Sequence, residues 1–393
     1  MTIKQPLWYI IAFLSVGITI GHSFQSPWFL AVALSILLYS TILSISHKGR
    51  GWSLILFWLI FGAALSSIEQ VHTNLTSSAW HSVQAKALLQ SDVLHMRLKQ
   101  SGLPDEALSL GSALLLGKRE GLTQELRQAY SESGVAHLLA LSGLHLGILY
   151  GLLHILIIQR IRFSQWRWFA LPPLLLLLWG YVLLTGLPLS LVRAAGMCTV
   201  VMIATLAQRE LWPTHALSLS VLIILLISPS SLFSISFQLS FLAVFFIIFI
   251  CQQPACPPTF SVRFRQMVYV SAAAQLGTAP LAAYYFHTLP LLSIPLSLIL
   301  IPVSTLIVYL SLATLLIPIP LLSTSLSYLV HWQNHLVTLC ASIPGAVIRD
   351  LYPQLWHILV VYAILLIAII RLNAYREKML LTDIRNIRKH DDE

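Results

Sequence analysis

The sequence predicts an all-α fold: a polytopic integral membrane bundle of about 11–12 transmembrane helices. Three observations predict it. Hydrophobic residues make up 57% of the 393 positions and charged residues only 9%, and the mean hydropathy is +0.82. Soluble proteins carry about 25% charge, so this chain cannot clothe itself in a hydrated surface. Apolar runs of the length a helix needs to cross a bilayer recur from end to end. Basic residues gather in alternate connections between those runs. Length alone would suggest two or three soluble domains at about 150 residues each, but the composition overrules it. A cytosolic enzyme, a disordered chain and a secreted disulfide scaffold are excluded.

The expected spans are 7–23, 27–46, 52–67, 135–158, 166–185, 188–207, 214–228, 232–251, 267–287, 290–317 and 355–371. The stretch 325–344 carries two histidines, Gln333 and Asn334, and reads as a span, a re-entrant helix or an interfacial one. With the N-terminus and Lys4 inside, Lys48, Arg50, Arg160, Arg162, Arg167, Arg209, Arg263 and Arg265 fall in the cytoplasm. A crossing at 325–344 puts the basic tail there too, which favours twelve passes and places both termini inside. The net charge of +9 would suggest nucleic acid in a soluble protein; here the loop charge of a polytopic protein accounts for it. Four organisational segments follow: a three-helix membrane segment at 1–67, a short extracytoplasmic amphipathic segment at 68–133, a membrane domain at 134–372, and a basic then acidic cytoplasmic tail at 373–393.

Within 68–133, Ala85, Leu88, Leu89, Val93 and Met96 recur at helical spacing. Pro104, Asp105 and Glu106 read as a helix start, with a stop at Gly117. Thr123 caps a third helix that ends near Gly134. Six basic and seven acidic residues leave this segment without an electropositive face. Cys251 and Cys256 match zinc-ligand spacing poorly, and no cofactor or metal is expected.

The most informative stretch is Ser133 to His154, SGVAHLLALSGLHLGILYGLLH. Gly143, Gly147 and Gly151 form a small-xxx-small ridge for close helix approach. His137, Ser142 and His145 share the span's outer half. Such groups are costly in hydrocarbon, so they line a wet path or bond to neighbouring carbonyls, and the sequence leaves both readings open. Ser142 and His145 also share a helix face at i,i+3, yet no acid in any span completes a hydrolase. Arg193 is the one cation inside a span and either snorkels outward or faces the interior and attracts anions. Gln238, Ser240, Gln275 and Thr278 add hydrogen-bonding groups to two further spans. Pro280, Pro295 and Pro302 are expected to kink or break their helices. No G-x-x-x-x-G-K-[ST] occurs, so no ATP hydrolysis is expected of this chain.

The segment ALLLGKREGLTQELRQAYSESGVAHLLALSGLHLGIL at 113–149 resembles the competence domain of the ComEC family. The resemblance continues through GLPLSLVRAAGM (186–197), SPSSLFSISFQLSFLAV (228–244) and AQLGTAPLAAYYFHTLPLLSIPL (274–296), and so covers about 105–372. It implies a channel in the bacterial inner membrane that passes single-stranded DNA to the cytoplasm during natural transformation, and it implies no enzymatic role. His137, Ser142, Gly143, His145, Gly147, Arg193, Gln238 and Ser240 fall at the family's motif positions. The family's OB-fold and metallo-β-lactamase-like domains have no counterpart here. A nuclease and an ATP-driven motor would then be separate partners, beside the lipid bilayer and further copies of this chain in a homo-oligomer. Ser297 stands where the family often has Asn. The alternative function is a channel-derived membrane protein that no longer moves DNA, either degenerate or exporting a small anionic solute.

Overall fold

The computed structural model describes residues 6–23, 50–139, 141, 143–156, 164–206, 213–251 and 260–391. Their architecture is all-α. The helices are α1 (Pro6–Ser23), α2 (Arg50–Gln100), α3 (Asp105–Leu116), α4 (Gln124–Glu132), α5 (Ala136–Leu139), α6 (Gly143–Leu156) and α7 (Ser164–Leu184). They continue as α8 (Leu189–Leu206), α9 (Pro213–Ile227), α10 (Ile235–Ile250), α11 (Phe260–Phe286), α12 (Ser293–Leu316), α13 (Pro320–Ala341) and α14 (Leu355–Asp391). A 3-10 turn, Pro229–Phe233, precedes α10, and the strands described are the two-residue segments Leu289–Pro290 and Val347–Ile348. Two compact units emerge: Leu242–Leu289 with the chain from Ile348 onward, and Pro6–Phe241 with Pro290–Val347.

Among the described residues, Ser293–Leu316 and Leu355–Tyr375 are long and apolar enough to cross a membrane. Leu7–Ser23, Phe57–Ser66, Phe169–Leu184, Ser190–Ala204, Pro213–Ile227 and Ile235–Ile250 are shorter apolar helices. The expected span 27–46 lies outside the described residues.

Several boundaries differ from expectation. The span 52–67 and the amphipathic stretch 84–99 are one 51-residue helix, α2, because no proline or glycine interrupts residues 63–100. The span 135–158 is two helices, α5 and α6, broken around Leu141. Ser190 on α8 donates to the Leu141 carbonyl at 2.6 Å, so a side chain from another helix satisfies the backbone freed by the break. Neither Pro280 nor Pro302 ends its helix, and Pro295 lies in the first turn of α12. The Tyr362 hydroxyl donates to the Gly277 carbonyl at 2.8 Å in the turn before Pro280. The stretch around Gln333 is a full 22-residue helix, α13, and the tail beyond 372 continues α14 to Asp391.

The local signals in the 101–134 region read correctly. Gly117 adopts φ 78° at the end of α3, where its N–H and that of Lys118 donate back to Ala113 and Ser112. The Thr123 hydroxyl accepts from the Leu126 N–H at 3.2 Å and caps α4. At Gly134, φ is 77° and an added Cβ would meet Ser293 at 2.6 Å, so only glycine lets the chain pass there.

In the larger unit, α1 lies against α2 through small residues. A Cβ on Gly17 would overlap the Leu59 carbonyl, and one on Gly62 the Leu14 carbonyl. A separate core gathers α3, α4, α12 and α13 around Leu110, Leu114, Leu138, Leu300, Ile307 and Val330, all buried. Through it runs a chain of hydrogen bonds. Ser304 donates to Gln333 Oε1 at 3.1 Å, and Gln333 Nε2 donates to the Tyr130 hydroxyl at 3.0 Å. That hydroxyl donates to Asn334 Oδ1 at 3.0 Å, and Asn334 Nδ2 donates to Glu106 Oε1 at 2.8 Å. Tyr130 and Gln333 are completely buried. At the outer end His331 meets Glu106 at 3.3 Å, an exposed pair that adds little.

Tyr130→Phe keeps the ring and removes the hydroxyl that serves two amides. It is expected to destabilise the fold by about 1–3 kcal/mol, the cost of orphaned buried polar groups, read as a lower melting temperature in detergent. Asp92 pairs with Lys118, and one turn along α2 His95 Nδ1 lies 2.9 Å from Ser112 Oγ. Burial, then the Lys118 charge, lowers the His95 pKa below its ordinary 6.5. The folded state therefore prefers neutral imidazole, so its contribution is present above 6.5 and declines as pH falls below it. Wild type is expected to lose more melting temperature than His95→Gln between pH 7.5 and 5.5; equal losses would refute the assignment.

Candidate functional site

The site is built on α8 and α10. Helix α7 closes with Gly186 and Leu187 at positive φ, where the N–H groups of Gly186 and Leu187 donate back to Leu183 and Val182. The Pro188 carbonyl then accepts from Leu191 and Val192 at 2.8 and 3.0 Å and launches α8. Arg193, in its second turn, is 3% exposed. The arginine does not snorkel; it points into the packed interior. Its Nη2 donates to the carbonyl and the hydroxyl of Ser236 at 2.7 and 2.9 Å. Its guanidinium carbon lies 6.0 Å from the Phe237 ring centroid, at the outer limit of cation–π attraction. Arg193 Nε is buried without a partner among the described residues, and the ion pairs described, Lys118–Asp92 and His331–Glu106, supply it no carboxylate. A desolvated cation with only neutral partners is costly.

The first turns of α10 carry the neighbouring polar groups. Ser234 Oγ accepts from the Phe237 N–H at 3.2 Å and caps the helix, while Gln238 Nε2 donates to the Leu232 carbonyl at 3.1 Å. Gln238 and Ser240 are half-buried. Ser236 was not among the expected residues. Its four-residue spacing from Ser240 was the available signal, but nothing in the sequence marks which serine meets the arginine.

The two histidines stand on either side of the helix break. His137 is exposed on α5, beyond the break from α6. His145 is 2% exposed on α6 and lines a cavity of about 330 Å³ with leucines of α2, α3, α7 and α12. Ser142 lies outside the described residues, and α6 begins only at Gly143. Of the glycine ridge, a Cβ on Gly143 would sit 3.3 Å from Ala194 on α8, whereas Gly147 and Gly151 have open space. Gln275 and Thr278 lie on α11 in the other compact unit, where the Thr278 hydroxyl donates to the Ala274 carbonyl at 2.9 Å.

These features define an all-α, strongly apolar protein that buries, between two helices, a cation with no carboxylate partner among the described residues. Residues 114–375 match the model of the competence protein family, and the chain belongs to that family. It is 32% identical to ComE operon protein 3 of Bacillus subtilis (strain 168) over 304 residues, covering 72% of this chain and 38% of that protein. It is 28% identical to an uncharacterised protein of Aquifex aeolicus over 54% of this chain and 48% of the relative. It is 27% identical to the MG316 homologue of Mycoplasma pneumoniae over 60% of this chain and 61% of the relative. The chain thus spans between 38% and 61% of the length of these curated relatives. No solved structure matches it.

Because Arg193 meets no carboxylate among the described residues, Arg193→Met is expected to leave the melting temperature unchanged or raise it. A clear fall would make the arginine a structural strut.

Proposed function

We propose that the chain is a multi-pass protein of the bacterial inner membrane, with cytoplasmic termini, that passes single-stranded DNA into the cytoplasm during natural transformation. Membership of the competence protein family supports the general role. The observation that carries the channel reading is Arg193, a buried cation with no carboxylate among the described residues. A DNA strand carries one negative charge per nucleotide, so its crossing needs donors or cations along an aqueous path. Arg193 offers a charge to successive phosphates, and Gln238 and Ser240 extend the polar surface along α10. His137, Ser142 and His145, with Gln275 and Thr278 of the other unit, belong to the proposed path.

The reading treats about twelve crossings as the topology, with α12 and the apolar part of α14 among them. The chain itself performs no hydrolysis. A separate nuclease supplies the single strand and a separate ATP-driven motor pulls it. One cation per chain is sparse for a polyanion, and a homo-oligomer would multiply it.

The test is an uptake assay with fluorescent DNA in a competent host lacking any second homologue. Arg193→Ala is expected to lower transfer to the cytoplasm about tenfold or more, the value of a charge-assisted hydrogen bond. His145→Ala is expected to lower it too, with membrane abundance and DNA capture normal in both. Unchanged transformation on deleting the chain would overturn the proposal and leave the export of a small anionic solute in its place.

A further inference from the structure

One face of His145 borders a cavity that is otherwise lined almost wholly by apolar side chains. It measures about 330 Å³ and is walled by Leu94, Leu115, Leu149, Leu177 and Leu312 with the open face of Gly180. Its tyrosines are already committed: the Tyr181 hydroxyl donates to the Leu115 carbonyl at 2.8 Å and the Tyr309 hydroxyl to the Ile148 carbonyl at 3.1 Å. Neither hydroxyl has a proton left to donate to a phosphate. An apolar cavity of this kind stays dry, since water finds too few partners in it.

Its mouth is equally apolar. Leu176 and Leu177 both line the cavity and face outward from α7, at 75% and 49% exposure. At Gly180, one turn further along the same helix, an added Cβ would meet nothing within 4 Å. The α2 and α3 part of the lining is Leu94, Leu115 and Leu116, with no charged side chain among the residues that wall the cavity. An apolar slot with a leucine-lined side opening fits an alkyl chain.

We infer that this cavity between α2, α3, α6, α7 and α12 is a binding site for one acyl chain of a membrane phospholipid, entered laterally past Leu176 and Leu177. The inference rests on the membrane reading above, which puts hydrocarbon against the outer face of α7. The chain fills space that water would not fill. Packing is the consequence: α3 and α6 both line the slot, so the bound tail becomes part of the wall that carries His145.

The test uses the full chain purified from membranes in mild detergent, with retained phospholipid measured by native mass spectrometry and by extraction. Wild type is expected to hold one phospholipid per chain through exhaustive washing. Gly180→Phe fills the slot from α7 and Leu312→Trp from α12, and each is expected to lose that lipid while keeping the wild-type helical circular dichroism. Two variants on different helices guard against one failing to fold. A wild-type chain free of lipid, or folded variants that retain it, would overturn the inference. Alkaline carbonate extraction separates the two readings. A chain released by carbonate fails the membrane proposal, whereas a chain that stays in the membrane but carries no lipid fails only the cavity.

Discussion

The Tyr130 hydroxyl is the point on which the core of the larger unit depends. It accepts from Gln333 and donates to Asn334, and through them α4 is tied to Ser304 on α12 and Glu106 on α3. Four helices therefore share one fully paired polar chain inside an otherwise apolar core. Apolar contacts alone do not fix how helices slide or rotate against each other, because leucine surfaces pack in many registers. A buried polar chain does fix it, since any shift orphans a donor or acceptor at full desolvation cost. Of the helices that line the cavity, α3 and α12 are held by that constraint.

Arg193 obeys the opposite logic. Where the Tyr130 chain is satisfied at every step, the arginine has one serine, one ring face and no counter-charge among the described residues. Stability does not explain such a group. The polar residues of the larger unit thus include a paired chain that ties helices together and a buried cation whose described partners are neutral. His145 falls in neither group cleanly, because it stands at the edge of an apolar cavity.

Local chemistry was legible wherever a residue acts on its own backbone. Gly117 stops α3, Thr123 caps α4 and the apolar runs became helices, because caps and hydrophobic periodicity are written within a few positions. The break at Leu141 was not legible, because it is stabilised by Ser190, 49 residues away. Close approaches were only partly legible for a similar reason. Of the repeat Gly143, Gly147 and Gly151, Gly143 lies against Ala194 while the other two face open space, and Gly17 and Gly62 meet a neighbouring backbone. A repeat specifies a smooth face; only the packing decides whether anything lies against it.

Composition and pattern by themselves determined an all-α, strongly apolar chain and the family resemblance, because segment hydropathy and motif residues are properties of the sequence alone. They also identified Arg193, Gln238 and Ser240 as the polar exceptions worth locating. The tertiary structure decided what each exception faces. It put Arg193 against Ser236, His145 beside a cavity, and Tyr130 at the junction of four helices. Those pairings join residues 43 to 228 positions apart, and a helix's rotation about its own axis, which sets them, is fixed by its neighbours rather than by its own residues.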